Sequence, residues 1–236
     1  MNEIVELMKN GKISREVVIN IINIIGNENT VGQYLRNSDM SLSKAVEIKK
    51  PLPNTQNYAI FAAANPDDTA RLRLNRELNA IEMAFKGRPA FVYKEQKDSN
   101  WDKLLHTLSE YPCAVLHFCG HSSEETLVFE DENNAAKPIE IGAIKALLAA
   151  NKRIELVVLN GCRSADLAKQ VAAAGVTAIG TTADLPDELG ATFSAAFYAY
   201  FAKNKDIPQA FSAGRSGVLG NDSGLKELYV LYERGT

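Results

Sequence analysis

The chain has 236 residues, 46% of them hydrophobic and 23% charged, with a net charge of -3. That is enough for one large α/β domain, or for a domain of about 180 residues with a small appendage, and so mild an acidic balance gives no electrostatic ground for nucleic acid or an anionic membrane as partner. Three cysteines, Cys113, Cys119 and Cys162, are an odd number behind no secretory pattern, and no run reaches the roughly 20 apolar residues of a membrane span, so the expectation is a soluble, cytoplasmic protein with free thiols.

Residues 1–50 differ in character from the rest. Ile4, Leu7 and Met8, then Val18, Ile21, Ile22 and Ile25, recur at helical spacing, with Ser14 placed to cap the second helix and Gly26 to end it. A third short helix with Val31, Tyr34 and Leu35 completes a small helical bundle. Pro51 and Pro53 make residues 51–56 an extended linker. From residue 57 to 236 the pattern alternates between strand and helix. A strand at 58–64 precedes a helix from about Asp68 with Leu74, Leu78, Ile81 and Phe85 on one face, and a second strand covers 90–93. A helix with Trp101, Leu104, Leu105 and Leu108 leads to a strand at 113–118, and a hairpin strand at 126–129 turns through 130–134. Helix 141–150, strand 154–159, helix 164–173, strand 176–180, helices 186–203 and 207–219 and a closing strand at 227–232 finish the chain. Regular alternation predicts an α/β fold with a mainly parallel sheet covered on both faces, preceded by a small helical N-terminal domain.

Cys162 falls where the apolar run Leu156-Val157-Val158-Leu159 meets a helix, the kind of junction at which open α/β sheets place ligands and chemistry. A thiol there is a nucleophile if an imidazole is near, and otherwise a small buried residue. Of the three histidines, His106 lies off the apolar face of its helix and reads as solvent-facing, while His117 lies inside a strand and reads as a hydrogen-bonded structural residue. His121 follows Gly120 just beyond that strand. If the two strands are parallel neighbours, His121 and Cys162 emerge at the same sheet edge as a dyad, and the backbone N–H groups of Ser122 and Cys162 could serve a carbonyl oxygen turning into an oxyanion. Rival readings are an inert buried cysteine, a zinc set of His117, Cys119, His121 and Cys162 weakened by the lack of a C-x-x-C pair, and redox sensing through Cys119 and Cys162. No cofactor or metal is called for.

Several ordered segments carry a resemblance: YAIFAAANPDDTARLRL from Tyr58, then VLHFCGHS, LVFEDE, VVLNGCRSADLAKQVAAAGV, AIGTTADLPDELGATFSAAFYAYF and QAFSAGR. Over about residues 57–233 the chain resembles the CHAT domains of the caspase-like peptidase clan. The resemblance implies a three-layer caspase-hemoglobinase fold and a cysteine endopeptidase, with His121 matching the family histidine and Cys162 the family cysteine. It also implies an effector role in bacterial defence or death-like signalling, beside a helical adaptor. Ser122 stands where the family usually has glycine, so a required positive φ would be costly there. Gly161 replaces the usual alanine and is expected to be tolerated. Asp187, with Asp184 three residues earlier, matches an acidic position of the family. On sequence alone Asp187 simply favours a helix start after Pro186. The resemblance implies instead a carboxylate in the primary specificity pocket, selecting arginine or lysine in a protein substrate. The alternative is a catalytically impaired module acting as an interaction scaffold. The run from Val17 to Ile25 has more apolar positions than one buried stripe needs, which points to a docking surface for a partner protein on the helical region.

Overall fold

A computed structural model describes residues 57–88, 90–221 and 223–235. The helices expected in residues 1–50 and the linker at 51–56 lie outside the described residues. Six strands form the main sheet: β1 (Tyr58–Ala63), β2 (Val92–Gln96), β3 (Cys113–Cys119), β6 (Leu156–Asn160), β7 (Thr177–Thr181) and β8 (Tyr229–Tyr232), in the order β2-β1-β3-β6-β7-β8. The first five are parallel, and β8 closes the edge antiparallel to β7. Strands β4 (Thr126–Glu130) and β5 (Ala136–Glu140) make a separate antiparallel hairpin.

The period of two in the central strands divides the core into two layers. Ile60, Leu116, Phe118, Val157 and Leu159 project to one face, where α2 (Trp101–Glu110), the hairpin, α3 (Ile141–Ala150) and α4 (Ala165–Ala173) cover them. Phe61, Val115, Cys119, Leu156 and Val158 project to the other, under α1 (Leu74–Phe85), α5 (Asp187–Asn204) and α6 (Ile207–Asn221). Both faces being buried explains why these strands read as continuous apolar runs. Three layers of helix, sheet and helix result, as the alternation predicted.

The chain runs from β1 outward to β2 and then returns to the far side of β1 for β3, so the direction of winding reverses between β1 and β3. Crevices at the carboxyl ends of strands flanking such a reversal are the natural ligand sites of open α/β sheets.

Most element bounds agree with the sequence expectation to within a few residues, and α3 agrees at both ends. One difference matters for the site. The helix expected from Asp68 begins at Leu74, because Asn65 closes the preceding loop on itself: its side chain accepts from Leu72 N and donates to Leu72 O. Residues 65–73 therefore remain a loop over the carboxyl end of β1. The second strand likewise starts later, at Val92.

Candidate active site

Register brings the two sequence candidates together. In the β3–β6 ladder Cys119 pairs with Asn160, and each chain then runs on by two residues, to His121 and to Cys162. Both line one cavity with Leu72, Arg73, Glu77, Asn160 and Asp187.

His121 is half-buried, and its Nε2 lies 2.6 Å from Ala70 O. A carbonyl only accepts, so Nε2 carries the proton and Nδ1 is the basic nitrogen of the neutral ring. The loop that failed to become helix thus supplies the group that orients the histidine. Cys162, also half-buried, has its Sγ 3.3 Å from the donating N–H of Leu185.

The two peptide groups flanking Cys162 are held by hydroxyls and a carbonyl. Gly161 O accepts from Thr181 Oγ1 and, at 3.2 Å, from Ser164 Oγ, which turns the N–H of Cys162 to the opposite side. Cys162 O accepts from Ser122 Oγ at 2.7 Å, and Arg163 N donates to Ala183 O at 3.1 Å. The hairpin contact of the histidine loop uses His121 O and Ser123 N, bonded to Val128 and Thr126. In an antiparallel ladder this leaves the intervening Ser122 N–H pointing away from β4. Two backbone donors are therefore oriented without a partner among the described residues.

One expectation about positions 122 and 161 needs correction and the other gains a reason. The left-handed residues among those described are Asp98, Asn134, Arg163 and Lys205 outside glycine, so Ser122 bears no positive φ and the anticipated strain is absent. At 161, where the family usually has alanine, the geometry calls for glycine. A Cβ there would stand 2.7 Å from Gly120 O and 3.0 Å from Ser122 Cβ, and closer still to Ser122 Oγ.

Asp187 opens α5 and lines the cavity, its Oδ2 accepting from Arg73 N at 2.8 Å. Asp184 is exposed and accepts from Arg163 Nε at 2.9 Å, a pairing that raises the Arg163 guanidinium further above its ordinary value. His106 is exposed, as expected.

A second imidazole and thiol lie below this cavity. His117 and Cys119 share a face of β3 and are fully buried. His117 Nδ1 is 3.0 Å from Tyr198 Oη, and its Nε2 lies 2.9 Å from Glu77 Oε1, an ion-pair distance without hydrogen-bond alignment. Glu77 Oε1 also accepts from Ser194 Oγ at 2.7 Å and from Asn160 Nδ2, while Asn160 Oδ1 accepts from Tyr229 Oη at 2.5 Å. Glu77, His117 and Cys119 offer ligand atoms within 4.8 Å of one another. The zinc set weighed from sequence is thus split, His117 and Cys119 going to the core with Glu77 and the other pair to the cavity. Burial, with the Glu77 charge adding to it, holds the Cys119 thiol well above its usual value, and burial pushes Cys113 up to about 12. Both are poor nucleophiles and poorly placed redox partners for Cys162. Glu77 and Asn160 were missed in the sequence. The signal for Glu77 was its place between Leu74, Leu78 and Ile81, inside the apolar stripe of α1.

Comparison with known proteins finds the same fold among solved structures, including these three. The secreted C11 cysteine protease from Bacteroides thetaiotaomicron, solved in complex with an irreversible peptide inhibitor, is 11% identical with a TM-score of 0.52, over 68% of this chain and 58% of that one. The Arg-specific cysteine proteinase gingipain R is 10% identical with a TM-score of 0.53, over 76% and 46%. The Drosophila initiator caspase Dronc is 11% identical with a TM-score of 0.50, over 79% and 83%. The chain itself belongs to the CHAT domain family, whose model matches residues 26–229. That range starts inside the region read from sequence as a separate helical module. Among curated relatives, a Roc-COR-CHAT protease of an unknown prokaryotic organism is 26% identical over 171 residues, 67% of this chain and 16% of the relative. A "Probable protease" of Gillisia limnaea is 22% identical over 178 residues, 72% of this chain and 32% of the relative. The chain thus spans about a sixth and a third of these two proteins.

Proposed function

We propose that the chain is a CHAT cysteine endopeptidase in which Cys162 is the nucleophile and His121 the general base and acid. The observation that carries this reading is that both residues stand two positions beyond a paired Cys119 and Asn160, on one cavity, in a family with relatives named as proteases. His121 Nδ1 takes the thiol proton, and the thiolate attacks the scissile carbonyl carbon. The N–H groups of Ser122 and Cys162 hold the oxyanion. Collapse of this intermediate breaks the C–N bond, the leaving amine takes the proton back from His121, and water activated by the same imidazole hydrolyses the thioester.

The same proposal extends to specificity and setting. The residue before the scissile bond is basic, selected by Asp187 at the cavity with Asp184 beside it. The substrate is a protein partner, cleaved in the cytoplasm, where the thiol stays reduced, as an effector in a defence or death-like response. Residues 1–50 dock a sensor or effector protein, residues 51–56 link them, and residues 57–236 form the peptidase. Profiling a peptide library with the wild type, Cys162→Ala, His121→Ala and Asp187→Ala tests the chemistry. Cleavage after arginine or lysine, lost in the first two variants and shifted away from basic residues in the third, is the expected result. Undiminished cleavage by Cys162→Ala contradicts the nucleophile, and cleavage after apolar residues or aspartate, unaffected by Asp187→Ala, contradicts the specificity. A chain beginning at Pro53 that melts far below the full-length protein contradicts the docking role.

A further inference from the structure

Ser122 reaches across from the histidine loop and touches the nucleophile's own peptide. Its Oγ donates to Cys162 O at 2.7 Å, while the N–H of that same peptide group, on Arg163, donates to Ala183 O at 3.1 Å. One peptide plane is therefore clamped at both poles. The clamp sits at a demanding point, since Arg163 has a φ of 50°, a left-handed conformation that is costly for a residue with a side chain. With Gly161 O held on the other side of Cys162, both peptide planes flanking the α-carbon that bears the thiol are fixed, and that α-carbon is oriented between them.

The room for this contact comes from position 161. A Cβ on Gly161 would fall on the Ser122 hydroxyl and stand 3.0 Å from Ser122 Cβ, besides meeting Gly120 O at 2.7 Å, so the side chain present at 122 occupies part of the space left by the one missing at 161. The neighbouring hydroxyl of Ser164 and that of Thr181 are already committed to Gly161 O, and the Ser122 hydroxyl is the one that reaches Cys162 O.

We propose that Ser122 is a positioning residue of this site, and that Ser122 and Gly161 form an interlocked pair that sets the orientation of Cys162. The proposal rests on the peptidase reading above. Misplacing a reacting group by about 1 Å can cost on the order of 100-fold in rate, so the loss of the clamp should show in chemistry that needs orientation and not in chemistry that needs only a thiolate.

Two probes on the full-length protein separate these. A peptidyl-arginine acyloxymethyl ketone requires the thiolate to meet an oriented carbonyl, whereas iodoacetamide requires the thiolate alone. Ser122→Ala should slow ketone labelling of Cys162 by roughly 10- to 100-fold while its iodoacetamide rate stays near wild type, and Ser122→Thr, which keeps a hydroxyl, should restore most of the ketone rate. Equal ketone rates in wild type and Ser122→Ala, or a parallel fall with both probes, would overturn the proposal. Thermal melting checks the interlock without any need for turnover. Gly161→Ala should lower the melting temperature more in the Ser122 protein than in a Ser122→Gly background, and equal losses in both backgrounds would overturn the pairing. A wild type alkylated by iodoacetamide at Cys162 but inert to the ketone would remove the peptidase reading, and the positioning role with it.

Discussion

The described residues include two pairs of imidazole and thiol, one inside a strand and one beyond the ends of two neighbouring strands. His117 and Cys119 lie inside β3 under α1 and α5, and His121 and Cys162 lie just past the ends of β3 and β6. The residue types are the same, and burial separates them. The inner thiol has no water and faces a carboxylate, so its ionised form is disfavoured. The outer thiol receives a backbone N–H and opens on a cavity. The inner imidazole lies between Tyr198 Oη at Nδ1 and the Glu77 carboxylate near Nε2, and the outer one is bonded at Nε2, with no bond to Nδ1 among the described residues. Where a strand stops therefore decides, as much as which residues it carries, whether a thiol is open to a ligand.

The sharpest way to break the inner region is to remove its acceptor. Glu77→Leu leaves the Ser194 hydroxyl and the Asn160 amide without their buried acceptor, and each donor stranded in this way typically costs about 1–3 kcal/mol. Urea unfolding should show a loss of that order, along with slower labelling of Cys162, because Asn160 anchors the end of β6 to α1 and β8. Unchanged stability would mean that the network is not holding the strand ends.

Tyr198→Phe removes one contact from the same cluster and leaves His117 Nδ1 without its hydroxyl. A loss of roughly 1–3 kcal/mol is expected, with probe labelling of Cys162 preserved. Cys119→Ala should matter less. The side chain is small and its thiol makes only a long contact to Ala62 O, so a loss on the order of 1 kcal/mol and unaltered chemistry are expected. Peptide cleavage abolished by Cys119→Ala would reverse the assignment of the two pairs.

Much of the outer pair was legible from residue order, and the inner cluster was not. His121 and Cys162 each follow a glycine beyond an apolar run, a local pattern that places them at a sheet edge before any pairing is known. Their common register needed the β3–β6 ladder, because parallel pairing between strands separated by a hairpin and a helix leaves no local trace. Glu77 and Asn160 look like ordinary polar residues until helix and strand are packed, and only then do a stripe position and a strand end face each other. The late start of α1 was hidden for a related reason. Residues 68–73 have no apolar periodicity of their own, and their loop conformation depends on Asn65 and on the bond from His121 to Ala70. The reason that position 161 needs a glycine was equally hidden, because the constraint comes from Ser122 and Gly120 O, which are distant in sequence.

The smallest effect concerns the hairpin beside the histidine loop. Asp131 accepts from the backbone N–H groups of Ala135 and Asn133, and these bonds, the Ala135 one foremost, hold its carboxyl below the usual range. The folded state thus binds this proton less readily than the unfolded chain. Its contribution is complete above the unfolded value of about 4 and is lost as pH falls through the depressed folded value. Hydrogen exchange at the amides of residues 133 and 135 should accelerate, relative to the rest of the hairpin, as pH falls below that range, and Asp131→Ala should remove the dependence. Exchange that is flat with pH in the wild type would show that the turn does not rely on this carboxylate.

Covalent capture tests the division between the two pairs most directly. Wild-type protein treated with a peptidyl-arginine acyloxymethyl ketone, then weighed intact and mapped by peptide mass spectrometry, should carry one adduct, on Cys162, with Cys113 and Cys119 unmodified. An adduct on Cys119 with Cys162 unmodified would place the chemistry in the inner pair and contradict the account.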